Sequence, residues 1–278
     1  MDKQPFILGV GAPRCGTTWA YSNWRAASDL YLPPIKELRY FHGTRSLEQR
    51  ENTARKILED PNVDARDRMF TRRWLAAKDG DKASYGTLFP IHGPVGEISP
   101  IYSIMPPPRI AALKTALTGF DPQVFYFMRN PFLRDISHIL FALHRQARQN
   151  APRPVEDYEA FIAQPAFRQR SAYRRNLGNW RRAFGDQLHV YYYDDLNRAP
   201  DQFFEQLCVD LGLAHDPARV RKARENAAQT KKMAPATLPR DILSPRRGRY
   251  LWRIANWKFL PDRIAQNWMG EIEAYDIG

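Results

Sequence analysis

Phe6 to Trp19, FILGVGAPRCGTTW, is an apolar run that breaks into a loop of small and polar residues. Gly11 and Gly16 bracket four residues and Thr17 and Thr18 follow, so the frame of a nucleotide phosphate loop is met except that Thr17 stands where a triphosphatase needs lysine. The chemistry open to such a loop is anion binding. Its glycines let backbone N–H groups approach a ligand, and a helix starting at Thr17 turns its positive end on that ligand. Arg14 is the one cationic side chain in the loop. Moving the charge from the lysine position to Arg14 suits a nucleotide whose reacting end is not a magnesium-clamped γ-phosphate. A plain strand-turn-helix junction is the competing reading.

The loop needs a strand before it and a helix after it, and both are readable. Ile7, Leu8 and Val10 predict a buried strand, and a helix is expected from about Thr17 to Ala27. DLYLPPIKELRYF reads as a short extended segment broken by Pro33 and Pro34, and residues 46–80 are polar and helix-like. Val95 to Ile98 is a short strand candidate, the prolines at 106–108 precede a helix through Thr118, and Val124 to Met128 suits a central parallel strand. A helix follows from about Pro131, a strand over Leu188 to Tyr193, and a helix from about Asp195 to Leu211. Alternating strands and helices predict an α/β, phosphate-loop-like fold: a central parallel sheet flanked by helices, with helical insertions and a helical C-terminal region. The 278 residues are expected to form one domain.

Ligands of parallel sheets gather outside the carboxyl ends of the strands. That rule selects the GAPRCGTTW loop, Arg129-Asn130-Pro131 with Arg134 and Ser137 on the next helix, and Asp194-Asp195. The first two are rich in anion-binding groups.

Lys plus Arg number 42 against 30 Asp plus Glu, a formal charge of +12 that suits nucleic acid, an anionic membrane or small anions. The basic residues fall in scattered pairs (Arg72-Arg73, Arg174-Arg175, Lys231-Lys232, Arg246-Arg247), without a nucleic-acid-binding motif, so a nucleic-acid partner is not expected. Two cysteines, Cys15 and Cys208, make no disulfide framework or zinc ligand set, so no metal is expected and a reducing compartment is the natural reading. No apolar stretch is long enough to span a bilayer, and the strand starting near Phe6 leaves no room for a secretory signal; the expectation is a soluble cytoplasmic protein.

In their order along the chain, GAPRCGTTW, PPIKELRYF, GEISPIY and FMRNPFLRDISHI, followed by YYYDDL, resemble the motifs of the sulfotransferase superfamily that uses 3′-phosphoadenosine 5′-phosphosulfate (PAPS). The motif style is that of bacterial, heparan-type and tyrosylprotein members, and the resemblance covers about residues 6–213, with 214–278 weakly matched. It implies an enzyme moving a sulfuryl group from PAPS to an acceptor hydroxyl or amine, carbohydrate favoured. The product would be 3′-phosphoadenosine 5′-phosphate, with no metal required.

By this resemblance Arg14, Cys15, Gly16, Thr17 and Thr18 contact the phosphosulfate, Trp19 stacks on adenine or packs its helix, and Arg129 and Ser137 hold the 3′-phosphate. Glu37 matches the catalytic base, and Lys36 beside it either lowers its pKa, binds oxygens of the ligands, or is simply solvated. Tyr173 resembles a nucleotide-contacting tyrosine, although Ser171 replaces the glycine that precedes it in the family. Tyr193 matches a tyrosine near the nucleotide, with packing as the competing role. His92 is the competing candidate base, with no family motif around it. Two other readings stay open: a small-molecule kinase with a degenerate phosphate loop, and a non-catalytic basic protein whose SPRRGRYLWRIANWKFLPDRIAQNW stretch lies on an anionic membrane or polysaccharide. For that stretch, a helix packed on the core with snorkelling arginines is the preferred alternative.

Overall fold

In a computed structural model, which describes residues 3–43, 46–147, 160–220 and 247–274, four parallel strands form the centre. They are β1 (Gln4–Gly11), β2 (Val95–Ile98), β3 (Phe120–Met128) and β4 (Leu188–Tyr192), in the order β2-β1-β3-β4. The two central strands, β1 and β3, carry continuous apolar runs because both faces are covered. Phe6, Ile7, Leu8 and Val10 of β1 are wholly buried, as are Val124 to Met128 of β3. Register places Leu8 beside Val124 and Met128 beside Tyr192, so the carboxyl ends of β1, β3 and β4 finish together at one rim.

The first helix, α1 (Thr17–Ala27), packs Trp24 edge-on against Phe125 at 5.1 Å between ring centres. Two polar helices, α2 (Leu47–Glu59) and α3 (Ala65–Ala76), occupy the stretch expected to be helical. They are followed by the short α4 (Lys82–Thr87), and a 3-10 turn (Pro100–Ile104) follows β2. Helix α5 (Pro107–Ala116) takes two prolines into its own first turn, where their missing N–H groups cost nothing, and ends two residues short of the expected Thr118. Then come α6 (Pro131–Ala147), α7 (Pro165–Gln169) and α8 (Tyr173–Phe184).

The helix expected over 195–211 is two: α9 (Tyr193–Arg198) and α10 (Pro200–Asp210). Pro200 cannot continue a helix from Arg198 but can start one, so the chain breaks at Ala199. Tyr193 accordingly begins α9 instead of ending the strand. The C-terminal helices α11 (Arg247–Ala255) and α12 (Asp262–Ala274) are held by buried Tyr250, Ile254, Ile264, Trp268 and Ile272, so the basic aromatic stretch is packed on the core over its described part. Lys231-Lys232 and Arg246 lie outside the described residues.

The segment after α1 makes no strand of its own. It runs along the outer edge of β2: Tyr31 N–H donates to Pro94 O (2.9 Å), Gly96 N–H to Tyr31 O (3.0 Å), and Glu37 N–H to Ile98 O (3.0 Å). This pairing delivers Glu37 to the carboxyl end of β2, the same rim as the loop after β1.

Candidate active site

The loop after β1 is shaped by Gly16, which sits at φ 95° and leads into α1 with no side chain capping the helix. A Cβ there would stand 2.7 Å from Leu196 Cδ2, so glycine is needed for both space and backbone. Arg14 also takes the left-handed conformation, at φ 70°, which lifts its side chain out of the loop. Its Nε donates to Ser137 Oγ on α6 (3.2 Å), and its guanidinium lies 4.6 Å from the centre of the Phe141 ring. Arg129, just past β3, stacks 4.6 Å over Tyr193 and reaches the Arg14 carbonyl with Nη1 at 3.4 Å. Two guanidinium groups and a serine, contributed by β1, β3 and α6, thus converge at the α1 N-terminus. Burial and then the Arg129 charge lower the Arg14 pKa.

Of the other loop residues, Thr18 is exposed, Gly16 half-buried, and Thr17 and Cys15 buried. Burial pushes the Cys15 thiol up to about 11, so the sulfur is a core atom and this residue offers a ligand only its backbone. Tyr173 is wholly buried: its hydroxyl donates to Arg129 O (2.8 Å) and lies 3.7 Å from Cys15 Sγ. It ties the β1 loop to the end of β3 from beneath. Trp19 is half-buried, with Phe203 and Phe204 each 5.9 Å from its ring, so the packing contribution to α1 is present.

In the segment along the edge of β2, Glu37 sits at φ 63° and Arg39 at φ 56°. Arg39 donates to Glu37 Oε2 from Nη2 (2.6 Å) and Nε (3.2 Å), and Lys36 Nζ lies 3.4 Å from Oε1. Burial raises the Glu37 pKa, but Lys36 and Arg39 together outweigh it and hold the carboxyl below its ordinary value. Lys36 is in turn lowered, first by burial and also by Arg14, whose charge reaches it from the phosphate loop. His92 is elsewhere: it is exposed in the loop preceding β2, at the amino end of the sheet, whereas Glu37 stands at the carboxyl end.

Arg134 and the Asp194-Asp195 pair are selected by their place after the strands, whereas Arg170, His138 and Glu97 carry no recognisable spacing in the sequence. Arg134 is wholly buried, donates from Nε to Ser171 Oγ (2.6 Å) and pairs with Asp135, while its Nη1 has no hydrogen-bond partner among the described residues. Ser171, the departure from the family's glycine, thus has a local use. Arg170 Nη1 meets His138 Nε2 at 3.0 Å, and burial with the charges of Arg134 and Arg170 drives the His138 pKa down to about 2. Glu97 on β2 is buried among hydroxyls, and burial raises its pKa to about 7. Asp194 and Asp195 are spent on the C-terminal helix, accepting from Trp268 Nε1 (2.9 Å) and Arg263 (3.0 Å) respectively. A cavity of about 620 Å³ between α8, β4 and the α11–α12 loop contains none of the expected site residues.

The sulfotransferase family profile matches residues 5–217. Among solved structures, a sulfotransferase from Alicyclobacillus acidocaldarius superposes with a TM-score of 0.60 at 18% identity, covering 95% of this chain and 98% of that one. A sulfotransferase domain from the curacin biosynthetic pathway gives 0.49 at 18% identity over 78% of this chain and 76% of that one. No curated protein sequence matches. No helix among the described residues is long and apolar enough to cross a membrane. The profile runs in one stretch through the phosphate loop, Glu37 and the Arg129–Ser137 pair, and this chain belongs to the sulfotransferase family.

Proposed function

We propose that residues 1–278 act as one sulfotransferase domain that transfers a sulfuryl group from PAPS to an acceptor hydroxyl or amine, with a carbohydrate as the favoured acceptor. The observation that carries this reading is the meeting of Arg14, Arg129 and Ser137 at the N-terminus of α1, with the Glu37 carboxylate on the same rim. A donor with a phosphosulfate at one end and a 3′-phosphate of about −1.5 to −2 charge at the other needs cations spread over two places. Arg14 and the loop amides suit the first, Arg129 and Ser137 the second. The buried Arg134 charge, paired with Asp135, also acts on Arg14.

The chemistry assigned to each residue follows from its type. Arg14 presents a fork of N–H donors to an anion and keeps its proton, so its contribution is electrostatic. Charge grows on the bridging oxygen as the S–O bond breaks, and one donor aimed there typically contributes about 3 kcal/mol. Glu37, held ionised by Lys36 and Arg39, accepts the acceptor's proton while the acceptor's lone pair forms the new bond to sulfur. The carbohydrate preference rests on the heparan-type style of the Glu37 segment.

Ligand-induced stabilisation separates this reading from a kinase with a degenerate loop. At a hundredfold excess over Kd, 3′-phosphoadenosine 5′-phosphate in the presence of a chelator should stabilise the protein by about 2.7 kcal/mol, several degrees in Tm. Greater stabilisation by Mg-ATP than by this ligand would overturn the proposal.

A further inference from the structure

Glu97 is a buried carboxylate in a place the transfer chemistry does not use. It is 1% exposed at the end of β2 and forms no ion pair among the described residues. Three hydroxyls donate to it instead: Tyr85 from α4 at 2.5 Å, Ser99 at 2.8 Å and Tyr102 from the 3-10 turn at 3.0 Å. Two of these hydroxyls have a second task. Ser99 Oγ accepts the Arg39 backbone N–H (3.0 Å), and Tyr102 Oη accepts the Phe41 backbone N–H (3.2 Å). Between these amides and the Glu37 N–H, which is held by Ile98 O, lie the two non-glycine residues of the segment with positive φ, Glu37 and Arg39. Such conformations persist only where surrounding contacts over-determine them.

We propose that Glu97 is the positioning residue of the acceptor-side segment: its carboxylate orients the Ser99 and Tyr102 hydroxyls so that their lone pairs clamp the Arg39 and Phe41 amides and keep Glu37 at the rim. The hydrogen-bond pattern suits the ionised form. All three hydroxyls are placed to donate to the carboxylate, and Ser99 and Tyr102 each accept a backbone N–H as well. A proton on Glu97 Oε2 would have to be donated into Ser99 Oγ, which leaves the Ser99 hydrogen without its acceptor in a buried site.

The groups acting on Glu97 are these hydroxyls and the charge of Asp79, itself paired to Arg50 at 2.9 Å; Tyr40 meets Tyr85, their ring centres 5.1 Å apart. Burial dominates and lifts the carboxyl to about 7, with the hydroxyls pulling the other way, so the clamp is engaged above neutrality and released below it. Its consequence for rate rests on the sulfotransferase reading; the clamp does not.

Amide hydrogen exchange by NMR, corrected for intrinsic rates, tests the clamp without any acceptor. In the wild type, protection of the Arg39 and Phe41 amides should fall about tenfold between pH 8 and pH 5.5, while Ile7 and Leu8 of β1 hold theirs. Glu97→Gln should show the low protection at every pH, because a carboxamide has one acceptor oxygen for three donors. Ser99→Ala should free the Arg39 amide and move the Phe41 transition to higher pH, since it removes a hydrogen bond that favours the carboxylate. This variant carries the test alone should Glu97→Gln not fold.

In turnover, Glu97→Gln should lower kcat about tenfold at pH 8 with the Kd for 3′-phosphoadenosine 5′-phosphate unchanged. Wild-type protection independent of pH, a Ser99→Ala transition left where it was, or Glu97→Gln protection at the wild-type level would overturn the proposal. The expected exchange pattern in a wild-type protein that transfers no sulfuryl group would leave the clamp standing and remove the proposed function.

Discussion

Replacing Arg129 by alanine separates the two ends of the proposed donor site. Arg129 stacks on Tyr193 and touches the Arg14 carbonyl only through a long 3.4 Å contact, so its guanidinium is largely available to a ligand. A hydrogen bond to a charged group contributes about 1.5–3 kcal/mol, and a 3′-phosphate offers a dianionic partner. Taking about 2–3 kcal/mol, the Kd for 3′-phosphoadenosine 5′-phosphate should rise about 30- to 150-fold at 1.4 kcal/mol per tenfold. Adenosine 5′-phosphate lacks the 3′ group and loses only what the long contact to Arg14 supplies, so its Kd should change less than about threefold. Titration calorimetry of both ligands at one ionic strength reads the difference directly. Equal fold losses for the two nucleotides would refute the assignment of Arg129 to the 3′-phosphate and make its role a general one of charge.

Three further outcomes are expected. Glu37→Gln should lower kcat by about 10²- to 10⁴-fold while leaving nucleotide affinity unchanged, measured by single-turnover kinetics beside calorimetry. Gly16→Ala places a side chain at φ 95° and against Leu196, and should cost about 2 kcal/mol, read as a fall of about 4–6 °C in Tm. His138, held at about 2 against an ordinary 6.5, binds its proton in the unfolded chain first, so it removes stability as pH falls below 6.5; Glu97, raised to about 7, adds stability as pH falls from 7 towards 4.5. Denaturant curves for wild type and His138→Phe should therefore diverge on acidification, the variant retaining about 1–2 kcal/mol more at pH 5 than the difference at pH 8.

The elements around the phosphate loop were legible because their signals are local. An apolar run meeting Gly-x-x-x-x-Gly predicts β1 and its turn, and Val124 to Met128 meeting Arg129 predicts β3 and its rim. The break at Pro200 was also written in the chain, although the periodicity across it reads as one helix. What stayed hidden depends on partners far away in sequence. Glu97 gains its meaning from Tyr85 on one side and Arg39 on the other, and neither spacing is a pattern. Tyr173 reads as a candidate ligand contact, but its hydroxyl is used on the Arg129 backbone and Cys15, which only the packing of α8 under the loop makes visible. His92 and Glu37 stand near opposite ends of the same short strand, a distinction that requires knowing the direction of β2 relative to the phosphate loop.

The most direct measurement is transfer of ³⁵S label from PAPS, in the presence of a chelator, across saccharide, phenol and amine acceptors, with the products separated by chromatography. The expected result is label on an acceptor hydroxyl or amine, strongest in the saccharide set, with 3′-phosphoadenosine 5′-phosphate released in equal amount and both products suppressed in Glu37→Gln. Label moving equally well in Glu37→Gln would contradict the base assignment, and no acceptor-dependent release across the whole set would contradict sulfuryl transfer to these acceptor classes.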